Sequence, residues 1–522
     1  MMITFFVGTS THIRNRRKYE LPHVILSHNS WNDWWEYQTL YYAELIDNDG
    51  NSHDLGGIKI GKFNLQNGAP PLPNIFNELP ADFFSLGQDV SYYEEIQERG
   101  DDFREEILEA LNDISYNEDL YNEALNEKVT YRSLLRSVST RSVIGQFNRL
   151  ANGNATLTNY DFTYKSFSNR RGIPALNMNF RVDPQSYPPS NIHVIIGRNG
   201  VGKTHLINNM IESLLDDNAL KFGKFTSPIS DLSSEIFANL VSVTFSAFDE
   251  TEPKPERRDK RAGISYSYIG LREERRDVRF AKENLNDENK PQKKYYTTKS
   301  PTKLKNEFVK SAIACKISGK LKRLKSAVHA LETDSIFNDS DLNSIFDIKN
   351  TDDFEEKAGI VFKKFSSGHK IVLITITRLV ETLQERSLVL LDEPEAHLHP
   401  PLLSAFIRAL SDLLVKQNAV AIIATHSPVV LQEVPKSCCW KLNRIGSFAN
   451  AERLEIESFG ENVGSLTQEV FGLEVTDAGF HKILKDSVNE LETYEDIAER
   501  FNNQLGFEAK AILRGMILNN NR

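Results

Sequence analysis

Cysteine is scarce in this chain. Cys315, Cys438 and Cys439 are the only three in 522 residues, too few for a disulfide framework or a four-thiolate zinc site. The adjacent pair Cys438-Cys439 reads as packed thiols rather than a redox couple. Long apolar runs are lacking too: no stretch approaches the ~18 apolar residues of a membrane helix. The opening MMITFFVGTSTHIRNRR places its charges after a very short apolar run, the reverse of a secretory leader, so a cytoplasmic location is the expectation. No repeat of fixed period is present, which argues against a solenoid or propeller. Tryptophan is rare, yet three of the four cluster at Trp31, Trp34 and Trp35, where core packing is the reading favoured over a ligand cage.

What is abundant is charge, and its distribution is uneven. The chain has 62 Lys+Arg and 72 Asp+Glu, a net charge of −10, which argues against a surface that coats nucleic acid everywhere. Residues 251–330 alone hold 22 basic and 10 acidic residues, so this segment is +12 and the remainder −22. Arg257, Arg258, Arg272, Arg275 and Arg276 fall in one cluster, Lys293 and Lys294 in a second, and Lys310, Lys316, Lys320, Lys322, Arg323 and Lys325 on a helical stretch. Tyr266, Tyr268, Tyr295 and Tyr296 are interleaved, a composition suited to phosphate contacts with some base stacking. A solvated loop facing the acidic body is the competing reading.

Residues 1–66 read as β-rich, with strands at Ile3–Gly8, Thr39–Ile46 and Gly57–Phe63. Residues 67–158 read as a helical insertion: helical spacing runs through Ile96, Phe103, Ile107, Leu111 and Ile114. Strands return within 159–216, at Tyr160–Phe167, Ala175–Val182 and Ile192–Ile196, and a helix is predicted at Thr204–Leu215. Residues 217–355 form the charged insertion, apart from a strand at Leu240–Phe245. Residues 356–446 look like a helix–strand–helix–strand block. Residues 447–522 form a helical interaction tail that begins with a strand-like run, Leu454–Phe459.

The chemistry is concentrated at four places. Ile192–Ile196 leads directly into Gly197-Arg198-Asn199-Gly200-Val201-Gly202-Lys203-Thr204, a phosphate-binding G-x-x-x-x-G-K-T loop between a strand and a helix. Gly197, Gly200 and Gly202 let the backbone wind so that successive N–H groups face one anion, with Asn199 a further nucleotide-binding residue of the loop. Lys203 is expected on the β/γ-phosphates of ATP and Thr204 on Mg²⁺. Leu388–Leu391 reads as a buried strand ending in Asp392-Glu393, the first placed to bind Mg²⁺ and the second to polarise an attacking water. Phe365-Ser366-Ser367-Gly368-His369 precedes an apolar helix, and Ala419–Ala424 precedes Thr425-His426.

This order of pieces resembles the ATP-binding-cassette class, and within it the SMC-like and OLD-like ATPases. The resemblance implies an α/β ATPase head: a mixed sheet with helices, an N-terminal antiparallel β lobe in residues 1–66, and helical and basic insertions. Phe365–His369 is similar to the signature motif, with Ser367 in place of a usual glycine; Ser366 and Gly368 would then meet the γ-phosphate. His426 resembles the switch histidine. The Q-loop glutamine is missing: the strand Leu240–Phe245 runs into Ser246-Ala247-Phe248-Asp249. Asp392–Pro400 is similar to the extended acidic motif of defence and OLD-like ATPases. Its His397 and His399 would chelate a metal only with further ligands, and none is evident in sequence, so the segment reads as a capping and dimer-contact loop. In this class the signature of one chain covers the nucleotide of another, which implies a homodimer or higher homo-oligomer around ATP and Mg²⁺.

The metal-dependent nuclease domain of OLD-like enzymes is not matched after His426. Tyr268–Arg272, Glu457–Gly464 and Glu469–Gly472 resemble the ATPase subunit of Septu-type antiphage systems. That resemblance implies an HNH-type endonuclease partner and, by way of similar retron ATPases, a reverse transcriptase with its DNA–RNA product. It implies no membrane partner. A stand-alone DNA-repair or recombination ATPase, and a nucleotide sensor with little hydrolysis, are the alternatives.

Overall fold

The computed structural model describes residues 3–8, 21–29, 33, 36–153, 159–167, 175–216, 220–228, 236–246, 253–257, 264–275, 295–348, 350–445, 448–472, 479–488 and 493–520. Trp31, Trp34 and Trp35, and Ala247, Phe248 and Asp249 at the Q-loop position, lie outside them.

The N-terminal part is a domain with its own core. Strands β1 (Thr4–Val7), β2 (His23–His28), β3 (Leu40–Ile46), β4 (Ser52–Lys62), β5 (Ile75–Phe76) and β6 (Phe83–Gly87) form one sheet in the order β5-β1-β2-β3-β4-β6. Helices α1 (Val90–Gln97), α2 (Asp101–Ala110) and α3 (Glu118–Ala124) bury Ile96, Ile107, Leu108 and Tyr121 in the same cluster as Phe5, Val24 and Phe84. The division expected at residue 66 therefore falls inside a single sheet, and residues 67–158 are its helical layer and its last two strands. Strand β2 escapes notice in the sequence because its buried run His23–Leu26 is short and lacks alternation.

The antiparallel layer expected of an ATPase head is built later in the chain. It consists of β7 (Tyr160–Lys165), β8 (Asn177–Val182) and β10 (Lys224–Thr226), ordered β10-β7-β8. It packs through Phe162, Phe180 and Phe225 on one face of a seven-stranded sheet, together with α4 (Lys203–Leu215). That sheet runs β12-β11-β15-β16-β9-β17-β18, with β9 (Ile192–Ile196), β11 (Asn239–Thr244), β12 (Ser265–Gly270), β15 (Ser387–Asp392), β16 (Val420–Thr425), β17 (Cys439–Ile445) and β18 (Phe448–Glu452). Every neighbouring pair is parallel except β17–β18. β9, β15 and β16 are buried at every position, as strands covered on both faces must be.

The opposite face carries α5 (Pro301–Ile317), α6 (Leu321–His329), α7 (Thr351–Lys364), α8 (Ser367–Thr382) and α9 (Pro400–Lys416). The segment 217–355 is thus not one separate insertion, because β11 and β12 belong to the main sheet and α5 and α6 to its helix layer. The boundary at 446 likewise falls within the β17–β18 hairpin. The strand expected at Leu454–Phe459 is instead β18, and 454–459 runs as loop. Beyond it lie α10 (Val463–Phe471), α11 (Gly479–Ser487) and α12 (Phe507–Asn520).

Candidate nucleotide site

β9 is flanked by β16, and β16 by β15, so the carboxyl ends of these parallel strands deliver their loops to one edge of the sheet. The P-loop leaves β9 and enters α4 at Lys203. Gly200 and Gly202 adopt φ of +81° and +102°, and a Cβ at either would meet nothing within 4 Å. The loop is therefore wound as glycine permits, around open space, which suits a phosphate chain. Gly197 has a different reason to lack a side chain: a Cβ there would sit 2.4 Å from Leu442 O on β17.

The Lys203 ammonium folds back on the loop, donating to Gly197 O and Arg198 O at 3.0 Å each. Burial lowers its pKa, opposed by Glu393, Glu395 and Asp392. These neighbours place the basic group of the P-loop opposite the acids of β15, which is where a Mg²⁺–phosphate unit fits. Thr204 follows in the first turn of α4, and Asp392 ends β15 as a buried carboxylate. If Mg²⁺·ATP is bound, Thr204 and Asp392 are the residues available to the metal, and the loop amides with Lys203 to the phosphates.

Glu393 holds a left-handed backbone, φ 46° and ψ 60°, with its N–H donating to Ala424 O at 2.9 Å. This turn brings Glu393 Oε1 to 3.6 Å from His426 Nδ1. The contact lowers the Glu393 pKa and raises that of His426. A third residue organises the pair: Glu395 Oε1 accepts from Thr425 Oγ1 at 2.6 Å and from His426 N at 2.7 Å, and lies 3.0 Å from His426 Nδ1. Sequence reasoning assigned Glu395 no role. The signal available was its spacing, one turn past Asp392 and thus level with the end of the adjacent strand. An open cleft of about 600 Å³ is lined by Arg198, Asn199, Gly200, Val201, His426, Arg444 and Phe471. Phe471 comes from the tail, and its carbonyl accepts from Arg198 Nη2 at 2.8 Å.

Ser366 and Ser367 are exposed at the N-terminus of α8, and Gly368 is buried. A Cβ on Gly368 would lie 2.7 Å from His397 O, so this glycine lets the helix start seat on the loop after β15. These three residues are not among those lining the P-loop cleft.

The basic residues divide. Lys316, Lys320 and Arg323 are buried; their head groups bond Ile348 O, Glu381 O and Asp89, so they join elements and do not present a basic face. Arg272 stacks on Tyr296, 5.6 Å from its centroid, and lines a small cavity with Asp392, Thr244 and Tyr268. Arg257 is exposed and donates from Nη1 to Leu215 O at 2.8 Å. Arg275 lies on β13 (Arg272–Arg275), paired with β14 (Tyr295–Thr298). Arg258, Arg276, Lys293 and Lys294 lie outside the described residues.

Residues 249–432 match the family described as "AAA domain, putative AbiEii toxin, Type IV TA system". Protein ea59 of Escherichia phage lambda is 39% identical over 522 residues, covering 95% of both chains. The chain belongs to the ea59 family. Its fold class is that of an ABC-type P-loop ATPase, on the sheet order and loop geometry above and the family match. Solved structures similar to it at 14% identity include cbiO1 from Clostridium perfringens, part of the ABC transporter complex cbiONQ (62% of this chain, 98% of that chain, TM-score 0.29). Another is the ADP conformation of MJ1267, an ATP-binding cassette of an ABC transporter (61% and 100%, TM-score 0.30). No described helix of this family member is long and apolar enough to cross a membrane.

Proposed function

We propose that this chain binds Mg²⁺·ATP in the P-loop cleft, hydrolyses it, and uses the cycle to gate a partner nuclease. The observation that carries the first part is the convergence of Lys203, Asp392, Glu393 and His426 at the ends of three adjacent parallel strands. Glu393 stays ionised at neutral pH and accepts the proton of the attacking water. His426 and Lys203 oppose the negative charge that develops on the γ-phosphate.

The exposed Ser366 and Ser367, set apart from the chain's own cleft, support a dimer in which each signature covers its partner's nucleotide. A protein partner is supported by the tail, where Phe480, Ile483, Phe507 and Leu518 are exposed. The nuclease and antiphage parts of the proposal rest on the Septu resemblance. Nucleic-acid contact rests on the segment 251–330, where Arg257, Lys303, Lys310 and Lys325 are exposed.

Lys203→Ala should abolish ATP binding by equilibrium dialysis. Glu393→Gln should keep binding, lower hydrolysis by about 10²–10⁴-fold and hold an ATP-dependent dimer in light scattering. A monomeric Glu393→Gln protein at saturating ATP overturns the shared-site proposal, and unchanged hydrolysis overturns the role of Glu393.

A further inference from the structure

Three side chains from separate elements meet behind the signature serine. His369 lies in the first turn of α8, His399 is the N-cap of α9, and Asp334 precedes the short helix Ser335–Asn338. His369 Nε2 is 3.0 Å from Asp334 Oδ1, and His399 Nε2 is 3.9 Å from Asp334 Oδ2. One ligand atom from each of the three falls within 4.8 Å of the others. The side chains of His369 and Asp334 are nearly buried, at 3% and 7% exposure, whereas His399 is 53% exposed.

We propose that Asp334, His369 and His399 form a divalent transition-metal site of the zinc type. Two imidazoles and one carboxylate are the donor set such ions take, and the exposed side at His399 leaves a fourth position for water. Tetrahedral ligation needs neighbouring donors a little over 3 Å apart, so the trio requires only small rotations. The outer contacts are in place. Ser366 Oγ lies 2.6 Å from His369 Nδ1, which fixes that ring and receives its N–H once the metal takes Nε2. Asp334 is anchored by Ile336 N and Phe337 N on Oδ1, leaving Oδ2 to the ion.

His399 must change tautomer. Its Nδ1 accepts from Leu402 N at 3.2 Å, so metal at Nε2 exchanges that helix cap for a ligand bond. Pro400 and Pro401 have no N–H, so a single cap contact is given up. The metal would pin three elements together. It would also leave the hydroxyl proton of Ser366 free to point outward, because His369 Nδ1 then donates to Ser366 Oγ instead of accepting from it.

The test needs no nucleotide. The full chain, stripped with chelator, is dialysed against Zn²⁺ alone, with Co²⁺ as the spectroscopic probe. The proposal predicts one ion per chain, a Zn²⁺-dependent rise in melting temperature and a tetrahedral Co²⁺ spectrum. His399→Ala, at a half-exposed position that leaves the core intact, should weaken Zn²⁺ binding by at least about 100-fold and abolish the rise. Asp334→Asn, which keeps its cap contacts, should weaken it by at least about tenfold. His426→Ala should leave the stoichiometry at one. Absence of stoichiometric Zn²⁺ in the unmutated chain, or undiminished binding in His399→Ala, overturns the proposal.

Discussion

At the scale of single residues, Glu395 carries a role that its neighbours' motif conceals. It fixes Thr425 and His426 through two hydrogen bonds and so sets the distance from His426 to Glu393. Glu395→Ala should lower kcat on the order of 10- to 100-fold with ATP affinity unchanged, as measured by steady-state hydrolysis and nucleotide titration. The Glu393–His426 contact also sets a pH window. Glu393 is held below its ordinary 4.5, so its contribution to stability is present above that value and is lost as pH falls through the lower folded one. His426 is held above its ordinary 6.5, so its contribution is present below that value and is lost as pH rises through the higher folded one. The charged pair therefore exists between the two folded values. His426→Ala should move the acid limb of the kcat–pH profile upward toward 4.5 and remove the inflection above 6.5.

At the scale of elements, a buried charge cluster holds the N-terminal sheet to the turn beside it. Lys59 Nζ on β4 bonds Asp33 Oδ2 at 2.6 Å and Ser133 O at 2.8 Å, and Arg136 Nη1 reaches Asp33 Oδ1 at 2.5 Å. Lys59 and Asp33 are 1% and 4% exposed. Lys59→Met should destabilise the protein by about 3–5 kcal/mol in urea unfolding, because Asp33 keeps its charge in a dry setting with one partner fewer. Strands such as β9, β15 and β16 were legible in the sequence because continuous burial writes a continuous apolar run. The P-loop was legible because its glycines answer to local backbone geometry. The Asp334–His369–His399 cluster was not, since its members are set by how α8 and α9 dock. Nor was the ownership of the basic residues: Lys320 and Arg323 read as a charged surface, but tertiary packing buried them against Glu381 O and Asp89. Strand β18 was misplaced because Phe448–Glu452 has too few apolar residues to show alternation.

At the scale of the whole molecule, the N-terminal domain is joined closely to the helix layer. Gly57 on β4 meets Gly319 between α5 and α6, where a Cβ on Gly57 would lie 2.6 Å from Gly319 Cα. Asp89, the N-cap of α1, pairs with Arg323, and Glu385 before β15 accepts from Gln146 N at 2.8 Å and pairs with Arg149. Gly57→Ala forces backbone against backbone. It should lower the melting temperature by several degrees, corresponding to about 1–3 kcal/mol, and increase proteolysis between the two parts. The strand order has a consequence in time as well as space. β9 ends at Ile196, yet its two neighbours begin only at Val420 and Cys439. As the chain is synthesised, a strand destined for full burial, apolar but for His193, must wait with both hydrogen-bonding edges open for the last third of the polypeptide. The antiparallel strands β7 and β8 and helix α4, which flank β9 in sequence, can shelter its face but not its edges. Folding of the ATPase head is thus a late, long-range event, and aggregation of nascent chains should be most acute in the interval before β16 emerges.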